Sequence, residues 1–149
     1  MNLRPEGNAT QRLADGEPPM YELSQRFMFE AAHTLKRTVR VESSARVHGH
    51  TYYAEITIVG TPDPDSGMIL DLSVLREHIE SVRSELDHRM LDTVPGLGAP
   101  TIENLCGYIA RRLLETTPSL GSVRVWREGT GDACRLTLPE RGAPPDNRG

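Results

Sequence analysis

Cysteine is scarce. Cys106 and Cys134 are the two in 149 residues. They lie far apart and form no CxxC pair, so they offer no disulfide framework and read as free thiols. Lysine is nearly absent, Lys36 being the sole one among 17 basic side chains. Against 21 acidic residues the net charge is -4, which argues against a nucleic-acid footprint. No apolar run reaches the roughly 18 residues a membrane span needs. The first residues lack an apolar h-region, so export is not expected and the cytoplasm is the expected compartment. Neither an internal repeat nor a low-complexity tract is present.

What remains fits one domain. Residues 1–19 and 139–149 are polar, carry Pro and Gly, and show no apolar periodicity, so both read as disordered tails. The foldable part is 20–138. Residues 20–33 alternate: Tyr21, Leu23, Phe27, Phe29, Ala31 and His33 share one parity, and Glu22, Ser24, Arg26 and Glu30 the other. Residues 47–60 form a second strand rich in β-branched and aromatic side chains, followed by a turn at 61–67. Leu72, Leu75, Ile79, Val82 and Leu86 mark an amphipathic helix over 71–87, with Asp71 as its N-cap. After a Pro/Gly-rich loop at 93–100, a second helix starts at Thr101 and sets Ile102, Leu105, Ile109 and Leu113 on one face. Short strands at 122–128 and 133–138 close the domain. The order ββααββ predicts an α+β fold, an antiparallel sheet with both helices on one face. The first two strands are each about 14 residues, roughly 45 Å long. Edges that long usually get covered, so edge-to-edge oligomers are expected.

Three histidines carry the chemical signal. His48 and His50 are spaced i, i+2 on a strand, so both imidazoles point to one face. His33 ends the preceding strand, and the residues between allow a hairpin that brings it back beside the pair. Three imidazoles meeting at one point match a zinc with its fourth position open. A lone strand histidine is ordinarily a satisfied or solvent-facing residue; the HGH triplet with a third histidine on the neighbouring strand favours the metal. His88 follows Asp87 at the end of the first helix. A carboxylate beside it would fix its tautomer and make it an acid/base group, although by local sequence alone the pair reads as a solvated helix end. His78 reads as a surface residue. Glu128, at a strand end, is able to accept two hydrogen bonds from a flat amidine-like edge, or is simply a solvated charge.

FEAAH (29–33), HGHTYYAEITI (48–58), GMILDLSVLRE (67–77), LDHRML (86–91), PTIENL (100–105) and VWRE (125–128) occur in one order. Together they resemble the 6-pyruvoyl tetrahydropterin synthase family, which includes bacterial 6-carboxytetrahydropterin synthases, over about residues 25–130. The resemblance implies a T-fold: a four-stranded antiparallel sheet, two helices on one side, and subunits joined edge to edge into barrels, with hexamers built from two trimers. It implies Zn2+ on His33, His48 and His50, Glu128 gripping the pterin ring, and Thr101 and Glu103 near the pterin. Asp87 and His88 would form the acid/base pair and reach a site at a subunit boundary. The implied activity is a lyase reaction on 7,8-dihydroneopterin triphosphate or a related pterin.

One family residue is missing. The base of this family is a cysteine shortly before HGH, and here that stretch reads VESSARVHGH. The bacterial spacing falls on Ser44 and the longer animal-type spacing on Glu42. A thiol titrates near ~8.5 and an alcohol closer to water, roughly 15.7. That gap of about 7 pH units is worth on the order of 10 kcal/mol, so Ser44 is a poor direct substitute. Glu42 is ionised at neutral pH, and the chain here resembles family members with glutamate near the cysteine position, which are associated with cleaving the dihydroneopterin side chain to a 6-hydroxymethyl pterin. Four readings stay open: a pyruvoyl or carboxytetrahydropterin synthase with an altered base, a side-chain-cleaving lyase, a relative turned to another pterin-like substrate, and a non-catalytic pterin-binding protein. Arg37, Arg40 and Arg46, before HGH, read as solvated loop charges, with attraction of a triphosphate as the alternative.

Overall fold

The computed structural model describes residues 19–34 and 46–139. Glu42, Ser44, Arg37 and Arg40 therefore lie outside the described residues, as do both tails apart from Pro19 and Pro139. Strand β1 (Tyr21–His33) and strand β2 (His48–Gly60) pair antiparallel without a break, from Tyr21 opposite Gly60 to His33 opposite His48. The alternation seen in the sequence sets the faces. Phe29, Ala31, Tyr52, Ala54, Ile56 and Ile58 are buried, while Glu22, Ser24, Arg26, Met28 and Glu30 are exposed.

Helix α1 (Leu72–Leu86) starts where the Asp71 carboxylate accepts the Ser73 amide at 2.8 Å. Its buried residues are Leu75, Ile79, Val82 and Leu86, one face of a helix of period 3.6. Helix α2 (Ile102–Leu114) starts where Thr101 Oγ1 accepts the Asn104 amide at 3.1 Å, and it buries Leu105, Ile109 and Leu113. Both helices contact each other and strands of the sheet. Strand β4 (Leu120–Arg127) pairs with β2 and, through a hairpin, with β5 (Asp132–Thr137). His78 is half-buried rather than a surface residue, and its Nδ1 lies 3.1 Å from the buried Thr117 hydroxyl. Cys106 and Cys134 are free thiols.

The sheet departs from the four antiparallel strands expected. A short strand β3 (Arg89–Met90) adds parallel to β1, giving a five-stranded mixed sheet in the order β3-β1-β2-β4-β5. Two residues are too few for a period-2 pattern to register. Backbone chemistry sets this strand: the His88 amide donates to the Glu30 carbonyl at 2.6 Å, while the Glu30 amide donates to Asp87 Oδ1 at 3.0 Å. The turn between α1 and β3 puts His88 at φ 56°, a left-handed backbone uncommon outside glycine. After β3 comes one 3-10 turn, Leu91–Thr93, anchored by the buried Leu91.

A three-histidine site at the end of the sheet

The unbroken register of β1 with β2 builds this site. His33 sits directly opposite His48, and His50 lies two residues further along the same face. The ring centroids are 4.5 Å (His33–His48), 4.8 Å (His33–His50) and 4.9 Å (His48–His50) apart, the planes steeply inclined to one another. Nε2 of His33 is 2.8 Å from Nε2 of His48 and 3.1 Å from Nε2 of His50. A tetrahedral zinc with ~2.0–2.1 Å bonds holds its nitrogens roughly 3.3 Å apart, close to this spacing. One ligand atom from each of the three histidines falls within 4.8 Å of the others.

The other ring nitrogens fix the tautomers. His33 Nδ1 lies 3.0 Å from the Pro100 carbonyl and His48 Nδ1 lies 2.8 Å from the Arg46 carbonyl. A carbonyl only accepts, so each Nδ1 carries the proton and donates. Both Nε2 lone pairs then face one another, an arrangement that a cation between them would relieve. Metal-ligating histidines commonly use this backbone support. Burial pushes the His33 imidazole below its ordinary value, aided by His48 and Arg127 and opposed by the Pro100 bond. His50 is pushed down to about 4, by burial first and then by Arg127 and the two other imidazoles. Neutral imidazole is the form that ligates a metal, so the donor set fits zinc.

Two neighbours escape a sequence reading. Asp92 accepts the Thr34 amide at 3.1 and 3.0 Å and also the Thr34 hydroxyl, pinning the residue that follows His33. Arg127 approaches from β4, its Nη1 3.4 Å from His50 Nε2 and its Nη2 2.6 Å from Asp132 Oδ2. The signal for Arg127 lies in its parity with the buried Val123 and Val125. Glu128 has the opposite parity. It is exposed, and the Trp126 indole donates to it at 3.4 Å on the face where Trp126 stacks on Tyr53.

Thr101 caps α2 one residue after Pro100, whose carbonyl holds His33, and Glu103 is exposed in the first turn. Among the described residues no hydrogen bond ties either side chain to an imidazole. Asp87 Oδ2 accepts from His88 Nδ1 at 2.9 Å and from Arg83 at 3.2 Å. The Glu30 amide, then His88 and Arg83, hold the Asp87 carboxyl below its ordinary range. His88 is 77% exposed and borders an open groove of about 560 Å3 that also touches Glu30, Gly49, His50 and Thr51. No described hydrogen bond links it to the three imidazoles.

Residues 22–137 match the family described as 6-pyruvoyl tetrahydropterin synthase. This chain belongs to that family. The chain is 33% identical over 95 residues to a Synechocystis protein named 6-carboxy-5,6,7,8-tetrahydropterin synthase, covering 60% of this chain and 72% of that one. It is also 33% identical over 85 residues to the dihydroneopterin monophosphate aldolase of Pyrococcus furiosus, covering 57% and 68%. The solved 6-pyruvoyl tetrahydropterin synthase of Caenorhabditis elegans superposes with a TM-score of 0.70 over 81% of this chain and 97% of that one, at 23% identity. That likeness establishes the fold. Among this family member's described residues, no helix is long and apolar enough to cross a membrane.

Proposed function

We propose that this chain is a zinc-dependent lyase acting on the side chain of a reduced pterin, with 7,8-dihydroneopterin triphosphate or a close relative as substrate and the cytoplasm as its compartment. The observation that carries the reading is the convergence of three imidazole Nε2 atoms while carbonyls occupy Nδ1 of His33 and His48. A metal bound there supplies a Lewis acid that acidifies a C–H next to the substrate oxygens it holds.

The chain's own groups then divide the work. Asp87 keeps the proton of His88 on Nδ1, so Nε2 is free to take or return a proton. The exposure of His88 fits service across a subunit boundary, in an assembly proposed as a hexamer of two trimers. Thr101 and Glu103, next to Pro100, are proposed as pterin contacts. Glu128 reaches a pterin from the Trp126 face. Glu42 or Ser44 takes the place of the family's cysteine. Burial pushes the Cys106 thiol up to about 12, so it is no substitute.

A second reading has specific support. One relative is named an aldolase, and Glu42 is a carboxylate base where Ser44 is a weak one. Cleavage of the dihydroneopterin side chain to a 6-hydroxymethyl pterin is therefore the alternative reaction. Purified protein incubated with zinc and either 7,8-dihydroneopterin or its triphosphate, with products read by mass, decides between them. Loss of triphosphate marks elimination, and a 6-hydroxymethyl product marks cleavage. If pterin binds and neither compound is consumed, the chain is a binding protein instead.

A further inference from the structure

Strand β4 carries a permanent cation into the histidine site. Arg127 is 17% exposed, and one edge of its guanidinium is pinned by Asp132, its partner across the hairpin. The rest lies over the site, Nη1 toward His50 and the guanidinium carbon 6.0 Å from the Tyr52 ring centroid. Tyr52 follows His48 and His50 on the same face of β2. It is 0% exposed, and its ring lies 5.7 Å from that of His50.

Among the described residues two buried polar atoms here have no partner at hydrogen-bond geometry, the Tyr52 hydroxyl and Arg127 Nε, although the Arg127 guanidinium is near enough to the Tyr52 oxygen to oppose the rise that burial imposes on the phenol. A buried polar group left unpaired is unfavourable, and more so when it is charged. An arginine Nε only donates, and a phenol donates readily. What this corner lacks is an acceptor. The Nη1 hydrogen belongs to the same count, because it faces the His50 lone pair that metal ligation would occupy. A cationic donor set of this kind matches a negatively charged oxygen far better than a neutral one.

We infer that the ligand taken by the three-histidine site bears an oxyanion, of carboxylate or phosphate type, which Arg127 and the Tyr52 hydroxyl hold beside the imidazoles. This rests on the metal reading above and makes the site selective for an anionic substrate group. Neither residue needs to ligate the metal. Their role is to choose what occupies the open coordination place.

Cobalt(II)-loaded full-length protein, titrated with acetate, with its neutral isostere acetamide and with inorganic phosphate, tests this through the visible absorption of the metal. Acetate or phosphate should bind and acetamide should not. Tighter acetate assigns a carboxylate and tighter phosphate a phosphoryl group, and either supports the inference. Arg127→Gln should weaken the anion at least ~10-fold, about 1.4 kcal/mol, with cobalt affinity unchanged or tighter, and Arg127→Lys should restore part of the loss. Tyr52→Phe removes only the hydroxyl and should weaken the anion roughly 3-fold, so the test survives a poorly folded Arg127 variant. Anion affinity indifferent to both residues, with cobalt still bound, overturns the inference and leaves the metal centre standing. Failure of the wild-type chain to bind cobalt overturns the metal centre and this inference with it.

Discussion

Between the two helices, Glu85 accepts from Arg112 through both carboxylate oxygens and from the Tyr108 hydroxyl, and Arg112 also pairs with Glu115. At the end of the sheet, three imidazoles crowd together beside a guanidinium, and among the described residues the buried Tyr52 hydroxyl and Arg127 Nε are left without an acceptor. Both places gather titratable side chains, yet only the first is closed on itself. Its charges alternate in sign and its hydrogen bonds are spent internally, which suits a clasp holding α1 to α2. The second brings like-charged or neutral basic groups together and leaves lone pairs facing one another. Such an arrangement is unfavourable until a cation and an acceptor arrive.

Altering each cluster should separate these roles. The largest effect is expected from His33→Ala or His50→Ala. Each removes one of three ligands and should lower zinc affinity by more than ~100-fold, read by competition with a chelator, since even supporting residues around a metal are worth about 10–100-fold. In His50→Ala the melting temperature of the metal-free protein should change little, whereas His33→Ala also orphans the buried Pro100 carbonyl and should lower it; a large loss of metal-free stability in His50→Ala would erase the contrast with the helix clasp. Next comes Asp87→Asn. With Asp87 no longer an anion beside His88, pterin turnover should fall by about 100-fold or more while zinc affinity stays as in the wild type.

For the base, Glu42→Gln should remove turnover while Ser44→Ala is mild if the longer spacing operates, and the reverse pattern would point to Ser44. Leu105→Ala or Ile109→Ala, in fully buried positions of α2, should cost about 2–5 kcal/mol of stability by denaturant unfolding. The smallest effect falls on the clasp. Glu85→Gln should cost about 1–2 kcal/mol without touching zinc affinity. Donation from Arg112 holds the Glu85 carboxyl below its ordinary value, against the opposing pull of burial. Its contribution is therefore complete above the ordinary carboxylate pKa and fades as pH falls through the lower folded value. The gap between wild type and Glu85→Gln should close in acid, and a gap that widens instead would contradict the clasp.

Much of this was legible from residue order. The period-2 runs of β1 and β2 and the 3-4-3-4 spacing of α1 mark elements that the structure bounds to within a residue or two. The shared parity of His33 with Phe29, and of His48 and His50 with Tyr52, already set all three on one face. Strand β3 was not legible, because two residues held by the Glu30 backbone and the Asp87 carboxylate leave no periodic trace. Arg127 was within reach: Val123 and Val125 point inward, so Arg127 follows them and Glu128 turns away. The Pro100 and Asp92 contacts link segments far apart in the chain, and no local pattern encodes them.

Zinc coordination tests the central claim most directly. Zinc-edge X-ray absorption on protein loaded with one equivalent of metal should reveal imidazole scattering from three ligands at ~2.0–2.1 Å plus one oxygen neighbour, with one imidazole fewer, or no bound zinc, in His50→Ala. A wild-type chain that takes up no zinc, or a His50→Ala spectrum identical to wild type, would contradict the account.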